Sequence, residues 1–223
     1  MARIHPNVVT PPAPSSNPPN PKSSSDSVVL TVWKKSLLFN CKGFTVFDGN
    51  GKLVFRVDNY MAASSEIVLM DASGRPLLTI RRKRLGLSES WLIYEGESID
   101  NPTYCARKRG NILKPKSLAN VSAVESSGNN SIKSNKLNDN INNNKLIYEI
   151  EGSYAQRCCV IYDNDGQRRR VVAEIKQKEA AVGGVAFGID VFRLIVLPVG
   201  DFNVSIAMAM VILLDQMFGS SRR

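Results

Sequence analysis

Residues 205–217, "SIAMAMVILLDQM", decide what kind of molecule this is, because a run so apolar belongs either in a bilayer or at the centre of a protein. Length separates the two. From Asp201 to Met217 is 17 residues, roughly 25 Å of helix, whereas a span takes about 20 predominantly apolar residues. The unbroken apolar part runs only from Ile206 to Leu214. Pro198, Gly200, Asp201, Asn203 and Ser205 precede it, and Asp215 and Gln216 follow. No transmembrane span is expected. Nor is the run amphipathic, since Ile206, Met208, Met210, Val211, Ile212, Leu213 and Leu214 fall on every side of a helix. A helix apolar all round and outside lipid has to be enclosed by protein. One flat sheet covers a single face, so strands must wrap around it, and Ala207 and Ala209 let that wall come close. The expectation is a mainly β chain: a closed antiparallel β-barrel around a hydrophobic C-terminal helix of about residues 201–217, with Asp201 as its N-cap.

The strands announce themselves through their turns. "SLLFNCKGFTVFDGNGKLVFRVDNY", "EIVLMDASGRPLLTIRRKR" and "CCVIYDNDGQRRRVVAEIKQK" each carry two apolar runs around a turn with Asp first and Gly fourth: Asp48/Gly51, Asp71/Gly74 and Asp163/Gly166. Aspartate bonds the backbone ahead of it and glycine supplies the positive φ that closes a short hairpin. "VFRLIVLP" (191–198) reads as a strand buried on most of its surface. Residues 1–27 are Pro/Ser/Asn-rich and are expected to be a disordered tail without the pattern of a secretory signal or transit peptide. Residues 117–145 are Asn/Ser-rich and are expected to form a long flexible loop within one domain of residues 28–218, with 219–223 a short tail.

The phrases "LTVWKKSLLFNCKGFTVFDGNGKLVFRVDNY", "EIVLMDASGRPLLTIRRK" and "VAEIKQKE…DVFRLIVLPVGD…AMVILLDQM" resemble the LURP-one-related family of plants, over about residues 28–110 and 146–218 and in the same order. The resemblance implies the Tubby C-terminal-like fold, a closed barrel of about twelve strands threaded by a central C-terminal helix. It agrees with the helix argument, which was made without it. The family is similar in fold to Tubby proteins, which bind phosphoinositide headgroups and act as transcriptional regulators, and to phospholipid scramblases; it also implies an association with plant defence. No stretch here matches a Tubby lipid-binding motif, so no such residue is carried over. Two departures stand out: the Asn-rich segment 117–145 is longer than the family's pattern, and "FNVS" (202–205) opens the helix with more polar residues.

The chemistry implied by the residues is not catalytic. The single histidine, His5, lies in the tail, which removes Ser-His and Cys-His nucleophile systems from the folded part. No phosphate-binding glycine loop is present, and "DNDG" (163–166) lacks the Glu a calcium loop requires. Cys41, Cys105, Cys158 and Cys159 have no metal or disulfide spacing and read as free thiols of a reducing compartment. No enzyme activity, cofactor or metal is expected. An apolar-ligand carrier is disfavoured because the helix already occupies the lumen.

What remains is charge: the chain is net +9 with a pI near 9.5, which favours acidic partners. Three clusters concentrate it, Arg81, Arg82, Lys83 and Arg84; Arg107, Lys108 and Arg109; and Arg168, Arg169 and Arg170. Alternate strand residues face opposite ways, so any inward cation must sit near a strand end or pair with an acid. The plainest reading is a solvated barrel exterior. The second is a candidate site for anionic phospholipid headgroups, phosphoinositides among them. Nucleic acid ranks last, with no aromatic platform among the basic residues, and a nuclear-import reading of "RRKR" is poorly accessible inside a strand. The expected protein is a cytoplasmic monomer, peripheral at the plasma membrane or nuclear in part, with protein partners that the sequence does not name. The alternative is a soluble interaction or transcription-regulating scaffold that binds no lipid.

Overall fold

The computed structural model describes residues 27–59, 66–83, 89–109, 116–124, 145–164, 168–178, 188–197 and 199–219. Twelve strands follow one another along the chain: β1 (Val28–Trp33), β2 (Lys42–Phe47), β3 (Leu53–Asn59), β4 (Glu66–Asp71), β5 (Pro76–Lys83), β6 (Ser90–Glu95), β7 (Tyr104–Lys108), β8 (Ser117–Ala123), β9 (Leu146–Ser153), β10 (Cys158–Asp163), β11 (Arg170–Gln177) and β12 (Val191–Val196). Each pairs antiparallel with its chain neighbour, and β1 pairs with β12 from Val28↔Val196 to Trp33↔Val191, which closes the barrel. Closure gives every described strand a neighbour on both sides.

The expected centre is there. Helix α1 spans Val204–Phe218, and Ala207 to Leu214 have no solvent exposure on any side. The wall that encloses them alternates as a pleated strand must, with Leu30 and Val32, Phe44 and Val46, Leu69, Ile80, Ile93, Ile150, Ile161 and Leu194 turned inward. Burying each such side chain contributes roughly 1.5–3 kcal/mol. Among the described residues no helix is long and apolar enough to cross a membrane.

Two hairpin turns close as their residues predict. Gly51 N–H donates to the Asp48 carbonyl (3.1 Å) and Gly74 N–H to that of Asp71 (3.1 Å), both glycines with φ near +80°–90° (78° and 89°). The Asp48 carboxylate accepts from the N–H groups of Asn50 and Lys52, and that of Asp71 from those of Ser73 and Arg75. The Ser73 hydroxyl and these amides hold the Asp71 carboxyl below its ordinary range. Gly166 lies outside the described residues.

Two details differ from expectation. The stretch 117–145 does not begin as a loop: Ser117–Ala123 is strand β8, paired on both sides, with Ala119 and Val121 turned into the core. Residues 125–144 lie outside the described residues, as do 1–26 and 220–223. The helix is capped by Asn203, not Asp201; the Asn203 side chain accepts from Ile206 N–H at 2.9 Å. A bridge between Val199 and Phe202 folds 199–202 into a tight turn that buries Phe202, so helical geometry cannot start until this turn is complete.

Candidate functional site

In an antiparallel barrel every odd-numbered strand here finishes at the rim where every even-numbered strand begins. Helix α1 leaves the end of β12 at the opposite rim and runs back to this one. Its C-terminus is held here by Lys108 at the end of β7, whose Nζ donates to the Met217 carbonyl at 2.9 Å and lies 4.7 Å over the Phe218 ring. Lys34, just past β1, pairs with Asp215 at 2.6 Å. A cation on the last carbonyls of a helix satisfies them and opposes the helix dipole. We call this end the helix-exit rim.

The rim gathers two of the three basic clusters. β5 ends at Lys83 and β7 at Lys108; only β6 separates them, and Lys83, Ser90 and Arg107 stand in register across the three strands. Two strand spacings are about 10 Å. Arg82 shares the inward parity of Ile80 and Trp91, yet it sits at the strand end, 5.8 Å over the Trp91 ring and paired with Glu89. Arg81 reaches Glu66 at 3.3 Å. Asn120, its amide oriented by its hydrogen-bond partners, accepts from two guanidinium nitrogens of Arg109 at 2.6 and 2.9 Å. Among the described residues Lys83 has no carboxylate partner. Arg84 lies outside them.

The third cluster stands at the other rim, where β10 finishes and β11 begins, and its charge is largely answered. Arg169 lies between Glu149 (3.3 Å) and Glu151 (2.8 Å) and 3.6 Å over the Tyr162 ring, while Arg170 pairs with Asp163 at 2.8 Å. Arg168 is exposed. The three runs of basic residues look alike in sequence, but the fold gives one of them a bed of carboxylates from β9 and β10.

A cation that sequence reading missed is Arg157, buried behind the helix-exit rim in the β9–β10 turn. It stacks on Tyr154 (4.1 Å) and Phe192 (4.5 Å) and donates to the carbonyls of Ile189 (2.8 Å) and Tyr154 (3.2 Å). Its N–H closes on the Tyr154 carbonyl with φ +50°, so it holds the place that Gly51 and Gly74 hold in the other turns. That turn spacing, with Arg where glycine is expected, was the available signal. Tyr154 in turn donates its hydroxyl to Asp215 at 3.2 Å, and burial with that carboxylate pushes the phenol far up.

The thiols offer no reactive centre inside the wall. Cys158 is exposed and Cys159 buried, as adjacent strand residues must be. Burial pushes the Cys159 thiol up to about 12 and raises that of Cys105 despite the nearby Arg107. Among the described residues no group of His, Cys, Asp and Glu is placed to hold a metal ion.

A sequence profile described as LURP-one-related matches residues 28–215. The chain belongs to the LURP-one-related family. Within it, Protein LURP-one-related 8 of Arabidopsis thaliana is 48% identical over 223 residues, covering 99% of this chain and 100% of its own. Protein LURP-one-related 17 of the same plant is 42% identical over 200 residues, 85% of this chain and 82% of its own. An X-ray structure of another Arabidopsis thaliana protein superposes with a TM-score of 0.56 at 20% identity, covering 85% of this chain and 90% of that one. That likeness bears on the fold of the LURP-one-related barrel and on nothing else. The relatives carry the family name and no reaction in it.

Proposed function

We propose that this LURP-one-related barrel is a non-enzymatic module that docks on anionic phospholipid headgroups, at the cytoplasmic face of a membrane, through its helix-exit rim. One observation carries the reading: β5 and β7, on either side of β6, bring Arg81, Arg82, Lys83, Arg107, Lys108 and Arg109 to one rim, where Lys83 has no carboxylate partner among the described residues, whereas Arg169 and Arg170 of the third cluster lie against Glu149, Glu151 and Asp163. Each Lys or Arg near an anionic surface is worth about 1 kcal/mol. The Tubby-like and scramblase-like relationships and the link to plant defence belong to the same proposal. Headgroup binding would let a barrel without an open lumen respond to a membrane.

Co-sedimentation of the full chain with vesicles tests it, with phosphatidylserine and a phosphoinositide compared at matched charge and physiological salt. Lys83→Glu with Arg109→Glu should weaken binding by roughly tenfold or more, and Arg168→Glu on the far rim should leave it nearly unchanged. No binding of the unaltered chain to either vesicle would leave a soluble interaction or transcription-regulating scaffold as the better account.

A further inference from the structure

The helix-exit rim also carries apolar side chains that the fold holds out in water. Resting on the docking role proposed above, we infer that the β1–β2 connection is a membrane-inserting wedge: Leu37 and Phe39, supported by Trp33 and Ile189, enter the acyl boundary of an anionic bilayer while Lys35 and Lys42 meet the headgroups. Phe39 is 93% exposed, Ile189 61%, Leu37 51% and Trp33 37%. Among the described residues Val28, Val29 and Ile99 are also exposed, at the opposite rim, but the three most exposed large apolar side chains, Phe39, Ile189 and Leu37, share this end and mark an interaction surface.

The exposure is built. The buried Ser36 hydroxyl donates to Asp58, itself clamped by Arg56 at 2.6 and 2.7 Å, and accepts from the Leu38 N–H at 3.0 Å. The Thr45 hydroxyl holds the Lys35 carbonyl at 2.7 Å. Lys34 N–H donates to the Asp190 carbonyl at 2.7 Å, which ties the connection to the β11–β12 loop and brings Ile189 beside it. A segment fixed at this many backbone points loses little freedom when its side chains leave water.

Charge selects the occupant. Lys35 and Lys42 are exposed and flank the apolar residues, Lys35 lying 5.2 Å over the Trp33 ring. The strand ends and connections of the opposite rim mix Asp48, Asp71, Glu95, Glu97, Asp100 and Asp201 with Lys52, Arg75, Lys145, Arg168, Arg169 and Arg170. An anionic bilayer is therefore drawn to this rim, with Lys35, Lys42 and Lys83, more than to a rim of mixed charge, and Trp33 sits where an interfacial indole is favoured. The barrel stands on the membrane with the C-terminal end of its helix facing down.

The test uses the full chain and vesicles of phosphatidylcholine with phosphatidylserine, with or without brominated acyl chains. Trp33 is the native reporter, since the other tryptophan, Trp91, is buried. Trp33 emission should shift to the blue and be quenched by the brominated lipid. Leu37→Ser with Phe39→Ser should keep the melting temperature and weaken vesicle binding about tenfold or more, as loss of two buried apolar side chains requires. If unaltered and double-variant chains sediment alike with Trp33 unquenched, the wedge is overturned while headgroup docking stands. If the unaltered chain does not sediment at all, both fall. If sedimentation velocity shows a dimer that the double substitution dissolves, the patch belongs to a second copy and the wedge is again overturned.

Discussion

Gly152 in β9 shows how little latitude a single position has in this wall. A Cβ there would lie 2.1 Å from the Cys158 carbonyl oxygen, and its backbone sits at φ +118°. Both obstacles are backbone, so no side chain can turn away to relieve them. Gly152→Ala should cost at least about 2 kcal/mol, read as a lower urea midpoint at an unchanged slope; a loss under about 0.5 kcal/mol would mean β9 shifts freely. At this scale sequence reading was good where a side chain acts on its own backbone. Asp48 and Asp71 set their turns within four residues. It failed at Arg157, because what makes that residue tolerable in a glycine's place is Phe192, a distant residue on β12, together with the Ile189 carbonyl.

Helix α1 is the element whose identity was legible, since its apolarity on every face leaves only one kind of surrounding. Its energetics follow. Leu213→Ala should cost about 2–5 kcal/mol, the penalty of a cavity in a site that cannot collapse around a helix touched on all sides, whereas Asn203→Ala should cost about 1 kcal/mol for one lost cap. Thermal unfolding of the two variants checks the order; a cap loss equal to the core loss would mean the turn at 199–202, not packing, fixes the helix. β8 was hidden for the opposite reason. Its inward residues are small, Ala119 and Val121, and the Ser and Asn between them resemble the polar stretch that follows. Period two was present, but composition over a longer window spoke louder.

For the molecule as a whole, alkali is the condition that burial makes dangerous. Tyr104, Tyr148, Tyr154 and Cys159 all have their pKa values raised, with desolvation the largest cause in each. These groups are neutral when protonated, so the folded chain keeps protons that the unfolded chain releases, and stability falls as pH rises above the unfolded values. The thiol of Cys159 contributes over a window from about 9 to about 12. The melting temperature should hold up to about pH 8.5 and drop steadily by pH 10.5; a flat profile would mean these side chains are less buried than the barrel requires. Assembly of the basic rim was not legible in sequence at all. Which basic run shares a rim with which depends on counting every strand between them, and β8 was not counted. The neutralisation of Arg169 depends on β9, a strand whose acids nothing local connects to it.

The order of the elements has a cost at birth. A ribosome delivers β1 first and the helix that fills the barrel after all twelve strands, so no earlier portion of the chain owns an interior to fold around. At about 5–20 residues per second, the strand faces wait tens of seconds for their centre, exposed to one another and to neighbours. The seam between β1 and β12 joins segments more than 150 residues apart (Val28 with Val196), the kind of contact that forms slowly. Until then its apolar strand faces are open to aggregation, and a premature stop near its end wastes nearly everything made before it.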